Sequence, residues 1–78
     1  MYLNAKENPW KAAMFEVWDL DTDKIIRHVL WADDETREYV QYVVDEFDEI
    51  IYDKEIDEPL LEMKCGNIKL KEKEHGRN

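Results

Sequence analysis

Three aspartates spaced two residues apart are the first group in this chain that could do chemistry. Asp19, Asp21 and Asp23 have the D-x-D-x-D spacing with which calcium loops begin. Such a loop continues with glycine at its sixth position and a bidentate glutamate at its twelfth, where this chain has Lys24 and Leu30. The spacing is therefore better interpreted as a solvated turn, because Asp side chains hydrogen-bond nearby backbone.

The other groups that could react are equally isolated. His28 and His75 have no second His or Cys at zinc-ligand spacing, and Cys65 as a nucleophile would have only His28 as a base outside the tail. The run Asp33–Glu35 could offer oxygens to magnesium, but adjacent strand residues point to opposite faces. No phosphate loop, nucleophile elbow or dinucleotide fingerprint occurs. We expect no enzyme, no metal site and no cofactor.

Short runs of β-branched and aromatic residues predict a mainly β fold. We expect a small antiparallel sheet or a partly open barrel of five to six short strands. In the first strand, alternation places Phe15 and Val17 on one face and Trp18 on the other. A hairpin turn at residues 21–24 would follow it. The predicted strands are Ala12–Leu20, Ile25–Trp31, Glu38–Val44, Ile50–Tyr52, Leu60–Lys64 and Ile68–Lys71.

An α+β alternative with a helix at about 36–52 is also consistent with the sequence. Apolar residues recur there at helical spacing, and Asp34 or Thr36 could cap such a helix. No Gly or Pro interrupts residues 33–58. The apolar positions are Tyr39, Val40, Val43, Val44, Phe47, Ile50 and Ile51.

A resemblance favours the strands. Ile25–Thr36 (IIRHVLWADDET), with Phe15–Asp19 before it and Tyr42–Glu46 and Gly66–Leu70 after it, resembles a group of short acidic phage and prophage proteins. Their pattern is roughly V-(W/F)-A-D-x-E-T-G-E, an aromatic strand, D-E-x-G and a terminal G-x-I-K-(I/L). Arg37 and Asp48 stand where that pattern has glycine. The resemblance implies a phage source, a β-rich shape and a largely unassigned function.

The chain is long enough for one domain. We predict an N-terminal arm at 1–11 with Trp10 folded back on the core, a β-rich domain at 12–71 and a flexible tail at 72–78. No apolar run reaches the ~20 residues of a membrane span, and the N-terminus lacks the features of a signal peptide. The single cysteine suits a reducing compartment, so we expect the host cytoplasm.

Acidity is the strongest global feature and the basis of the functional prediction. The formal net charge is −9, and residues 33–58 hold twelve acids against Arg37 and Lys54. Such a field repels nucleic acid and membranes and attracts basic protein surfaces. Alternate strand residues repeat at about 6.6–6.8 Å, which allows phosphate-like spacing of carboxylates. The predicted partner-binding residues are Asp33, Asp34, Glu35, Glu38, Asp45, Glu46, Asp48, Glu49, Asp53 and Glu55.

Two functions follow as hypotheses. The first is an inhibitor that presents a phosphate-like acidic surface to a basic host protein, one that binds nucleic acid or acts in defence, without binding nucleic acid itself. The phage resemblance supports an anti-defence role of this kind. The second is a structural or assembly module that forms a homo-oligomer through a strand edge or an apolar sheet face.

Overall fold

A computed structural model describes residues 1–73 and confirms the mainly β prediction. Within those residues the only helix is a single turn, and the remaining elements are short strands. In chain order they are β1 (Tyr2–Asn4), α1 (Pro9–Ala12), β2 (Phe15–Asp19), β3 (Lys24–Ile26), β4 (Val29–Asp33), β5 (Glu38–Tyr42), β6 (Tyr52–Asp53), β7 (Glu58–Pro59), β8 (Leu61–Cys65) and β9 (Ile68–Glu72).

The strands form two packed sheets and a small ribbon, not a closed barrel. Sheet A has the order β1-β4-β5-β8, sheet B has the order β3-β2-β9, and β6 pairs with β7. Neighbouring strands in all three are antiparallel. The predicted hairpin of β2 and β3 is confirmed, with Asp19 opposite Lys24.

The alternative helix at 36–52 is wrong, because residues 38–42 form the central strand β5. It pairs with β4 on one side and β8 on the other. Both of its faces carry apolar residues: Tyr39 packs on the core, while Val40 points to the opposite face and is still only 6% exposed. A strand with apolar residues on both faces has some of them at the spacing of an amphipathic helix. The spacing of apolar residues in the sequence was therefore consistent with both structures.

The core lies between the inner faces of the two sheets. Its buried members are Leu3 and Ala32 from sheet A and Val17, Ile68 and Leu70 from sheet B. Ala32 is fully buried, so the close packing around it leaves little room for a larger side chain. The predicted face of Phe15 and Val17 is the one that packs on this core.

The predicted strand Ile25–Trp31 is divided in two, and this is a correction. β3 ends at Ile26 in sheet B and β4 begins at Val29 in sheet A. His28, which we expected in mid-strand, has φ of 61°. A left-handed residue cannot continue a strand, so the chain turns there from one sheet to the other.

The N-terminal residues are integrated into the fold. Tyr2–Asn4 pairs with β4, and Asn8 caps α1 by accepting a hydrogen bond from the Lys11 N–H, with Pro9 in the first turn. The expectation that Trp10 folds back on the core is wrong, since Trp10 is 85% exposed. In the predicted tail, Glu72 belongs to β9 and the Lys73 N–H donates to the Met14 carbonyl. The rest of that tail, residues 74–78, lies outside the described residues.

Truncating a core leucine tests the packing between the sheets. We expect Leu70→Ala to lower the free energy of unfolding by about 2–4 kcal/mol, because it removes buried methyl groups and leaves a cavity. Leu20→Ala is the matched control: Leu20 is 43% exposed and should cost less than about 0.5 kcal/mol. Urea unfolding followed by tryptophan fluorescence measures both. Equal losses in the two variants would contradict the assigned core.

Candidate interaction surfaces

Three hairpin turns repeat one hydrogen-bond pattern that begins at an aspartate. Asp19, Asp33 and Asp53 each end a strand, and one carboxylate oxygen of each accepts the N–H two residues on at 2.9 Å. The carbonyl of each accepts the N–H four residues on at 2.8 Å. The residue that donates this second bond has positive φ in every case: Asp23 at 57°, Arg37 at 63° and Asp57 at 54°.

In the turn at 45–49 the acceptor is again an aspartate carboxylate, but the pattern of hydrogen bonds is different. One Asp45 carboxylate oxygen accepts the Phe47 N–H at 2.8 Å and the Glu49 N–H at 3.0 Å. Asp48, with φ of 65°, lies against the crossover between the sheets. Its carboxylate is 2.8 Å from His28 Nε2 and 3.5 Å from Arg27 Nη2. Arg37 and Asp48 therefore both adopt a backbone conformation that glycine favours.

Asp34 connects sheet A to sheet B. Its two carboxylate oxygens accept hydrogen bonds from the Met1 ammonium at 2.8 Å and from the Leu70 N–H at 3.0 Å. The Asp34 N–H donates to the Met1 carbonyl at 3.1 Å. The side chain of Asp34 is 11% exposed, so this carboxylate serves the fold and offers little surface to a partner.

The same contacts shift two pKa values. Partial burial tends to raise the pKa of Asp34, but the hydrogen bonds from Met1 and Leu70 and the positive charges of Met1 and Lys69 together lower it below its ordinary value. The hydrogen bond to Asp34 is the main reason that the pKa of the Met1 ammonium is raised, with the charges of Asp33, Asp34 and Glu35 adding to it.

The predicted partner-binding acids fall into two groups at opposite ends of β5. Asp33 and Glu38 face each other where β4 ends and β5 begins, and Asp34 and Glu35 lie in the turn between them. The other six follow the far end of β5, which is about 13 Å away over four residues. They are Asp45, Glu46, Asp48, Glu49, Asp53 and Glu55. The structure does not bring the ten residues into one patch.

Aspartates and glutamates in these groups differ in what they contact. Each of the five aspartates accepts a hydrogen bond from backbone or from a side chain. Among residues 1–73, Glu38, Glu46, Glu49 and Glu55 make no side-chain hydrogen bond or ion pair, and all four are exposed. The glutamates therefore carry the charge that is available to another molecule.

Residues 43–60, which we term the acidic segment, also expose large apolar side chains. Phe47 is 75% exposed in the run Glu46-Phe47-Asp48-Glu49, and Ile56 is 62% exposed in the run Glu55-Ile56-Asp57-Glu58, whose last residue begins β7. Tyr52, on β6 between these turns, is 55% exposed. Two turns that each place an apolar residue among acids were not recognised in the sequence analysis, although the repeated Glu-apolar-Asp-Glu order is visible in the sequence.

The groups considered for catalysis remain apart. His28 lies near the end of β5, since its carbonyl accepts the Tyr42 N–H, whereas Cys65 pairs with Glu38 at the start of that strand. No three His, Cys, Asp or Glu side chains among the described residues are placed to hold a metal ion. A cleft of about 450 Å³ between α1 and the crossover is lined mainly by apolar residues such as Leu3, Phe15 and Leu30. In residues 1–73 no helix is long and apolar enough to cross a membrane.

Comparisons with known proteins give no match to this chain among protein-family models, curated proteins or solved structures.

Replacing Arg37 by glycine tests the positive-φ turn. A left-handed residue with a side chain costs about 1–2 kcal/mol, and the greater freedom of glycine in the unfolded chain offsets part of the gain. We expect Arg37→Gly to raise the free energy of unfolding by about 0.5–1 kcal/mol. Thr36→Gly, one residue earlier, should lower it. Thermal and urea unfolding would measure both, and destabilisation by Arg37→Gly would count against the turn geometry.

The contacts of Asp34 predict a particular pH dependence of stability. A lowered folded-state pKa means that the Asp34 carboxylate stabilises the fold above its ordinary pKa of about 4, and that this contribution is lost as pH falls through the folded-state value. A raised pKa means that the Met1 ammonium stabilises the fold below about pH 8, with loss as pH rises further.

Asp34→Asn should therefore be less stable than the parent chain between these limits. The loss should be about 1–2 kcal/mol near neutral pH, where the carboxylate accepts both hydrogen bonds. The difference should shrink toward pH 3 and toward pH 10. Urea unfolding of both proteins across this pH range measures it. A difference that stayed constant with pH would show that the charge of Asp34 is not what stabilises this contact.

Proposed function

We propose that this protein is a non-catalytic binding module whose acidic segment occupies a basic surface on another protein. The observation that supports it is the combination of exposed apolar and acidic side chains in two turns. Phe47 and Ile56 are exposed beside Glu46, Glu49 and Glu55, whose carboxylates the fold does not use. Exposed apolar side chains rimmed by acidic residues suit a surface that another protein covers.

The arrangement matches the general anatomy of a protein–protein contact. Interfaces derive most of their affinity from a few large apolar or aromatic residues, while charges at the rim govern association rate and choice of partner. The apolar anchors would be Phe47, Ile56 and Tyr52. The rim charges would be Glu46, Glu49 and Glu55.

Charge identifies the class of partner. The acidic segment contains eight acids against Lys54, which is a local net charge of −7. A field of this sign favours a cationic surface, such as a groove that binds the phosphates of nucleic acid. The resemblance to short phage proteins adds a context for this proposal: inhibition of a host protein that binds nucleic acid or acts in defence.

Binding to purified basic proteins tests the proposal. A panel of host nucleases and other nucleic-acid-binding proteins is presented to the immobilised chain, and affinity is measured at several salt concentrations with and without competing duplex DNA. We expect at least one member to bind, weaken with salt and be displaced by DNA. Absence of binding across the panel, or binding that ignores both salt and DNA, would contradict the proposal.

Variants of the acidic segment locate the contact. We expect Phe47→Ala and Ile56→Ala each to weaken binding about tenfold, as truncation of an interface anchor does. A triple Glu46→Gln, Glu49→Gln, Glu55→Gln variant should chiefly slow association and flatten the salt dependence. The charge-matched control is Glu7→Gln, Asp23→Asn, Glu72→Gln, in exposed residues that lie outside the segment and outside the predicted partner-binding set. An equal effect of both triple variants would assign the binding to net charge and not to the acidic segment.

A further inference from the structure

Strand β8 leaves one edge of sheet A open. It is the last strand in the order β1-β4-β5-β8, and within residues 1–73 no strand pairs with its outer side. All five of its residues are exposed, including Leu61 at 48% and Met63 at 66%. An exposed edge strand presents unpaired N–H and C=O groups, which makes it a template for a further strand.

The hydrogen bonds to β5 identify which groups of β8 face outward. The Gly66 N–H donates to the Arg37 carbonyl, and the Leu60 carbonyl accepts the Val43 N–H. In an antiparallel ladder, alternate residues direct both backbone groups to the same neighbour. The backbone N–H and C=O groups of Glu62 and Lys64 are therefore directed toward β5. The N–H and C=O groups of Leu61, Met63 and Cys65 face the open edge.

We propose that two copies of this chain pair through β8 in an antiparallel arrangement centred on Met63. In this register Met63 faces Met63 of the second copy, and Leu61 faces Cys65 of the second copy. All three outward-facing residues then exchange backbone hydrogen bonds with their counterparts. The two four-stranded sheets become one sheet that continues through both copies.

The charges of β8 select this arrangement. Antiparallel pairing about Met63 places Glu62 opposite Lys64 of the second copy, and Lys64 opposite Glu62. Opposite charges in directly facing strand positions are favourable, and like charges are unfavourable. A parallel pairing in the same position would set Glu62 against Glu62. The strand itself is neutral in a chain of net charge −9, so its own charges add no net repulsion between two copies.

The apolar side chains of β8 complete the match. Leu61 and Met63 lie opposite Tyr42 and Val40 on the outer face of sheet A, the face away from the core. Pairing would extend this face across the dyad and bring Met63 of each copy into contact. Because each copy uses its single β8 edge, the symmetric contact closes at two copies and does not continue into a fibre.

Site-directed cross-linking tests the register. Facing residues in an antiparallel pair have Cα atoms about 5.5 Å apart, within the range of a disulfide. In a Cys65→Ser background, Met63→Cys should cross-link readily under mild oxidation. The matched control is Leu61→Cys in the same background, because the two copies of residue 61 would lie roughly 14 Å apart. Leu61→Cys with the native Cys65 should cross-link again, since these two positions face each other.

Sedimentation of the full chain gives an independent measurement. We expect the parent protein to approach twice the 9.5 kDa monomer mass as its concentration rises from about 1 μM to about 1 mM. Met63→Lys places like charges at the dyad and should restore the monomer. Met14→Lys, at another methionine that is 42% exposed, should leave the dimer intact. Circular dichroism would establish that both variants fold.

Two results would overturn the proposal. One is a parent chain that stays monomeric through that concentration range. The other is cross-linking that is equal for Met63→Cys and Leu61→Cys in the Cys65→Ser background, which would indicate random collision or a different occupant of the edge. Salt separates this contact from binding through the acidic segment: screening of the net charge should strengthen pairing of two copies, whereas it should weaken binding to a basic partner.

Discussion

The carboxylate of an aspartate, hydrogen-bonded to backbone N–H groups that follow it, is the interaction on which this fold depends. A chain with only two glycines must still reverse direction between short strands. At Asp19, Asp33, Asp45 and Asp53 the side chain replaces a missing backbone acceptor and holds the first part of the turn. The cost of a left-handed residue later in the turn is then offset by bonds already made. Asp34 extends the same chemistry from one turn to the neighbouring sheet.

This use of aspartate changes how the acidity of the chain should be interpreted. Negative charge appears concentrated in the sequence, but the fold divides it by position and by residue type. The five aspartates of the predicted partner-binding set accept hydrogen bonds within the fold, while glutamates such as Glu46, Glu49 and Glu55 remain available. The two groups of acids lie at opposite ends of β5. A partner would therefore contact the acidic segment and its exposed Phe47 and Ile56, and not one continuous patch formed by all ten acids.

Much of the fold follows from the sequence, because strand composition and turn residues act locally. The β2–β3 hairpin, the face shared by Phe15 and Val17, and the strands near residues 60–72 were all predictable in this way. The change of sheet at His28 was not, since nothing local marks a histidine for positive φ. The pairing of Tyr2–Asn4 and the contacts of Asp34 depend on residues distant in sequence. Trp10 was misplaced because a large aromatic residue is usually covered, and here it is not.

The site was less predictable than the fold. Sequence patterns identified the acids but could not show which of them the backbone occupies. The signal that was missed is a repeat: aspartate, three intervening residues, then a left-handed residue, at 19–23, 33–37 and 53–57. Its recognition would have assigned the aspartates to turns and left the glutamates and the two exposed apolar residues as the candidates for binding.

Amide hydrogen exchange measured residue by residue tests the central claim most directly. Asp21, Glu35 and Glu55 donate their N–H groups to the aspartate two positions earlier. Each has a neighbour in the same turn, Thr22, Thr36 or Ile56, whose N–H makes no such bond. The account predicts that the first three amides exchange more slowly than their neighbours, once intrinsic rates are divided out. Equal protection within each pair would show that the aspartates do not hold these turns.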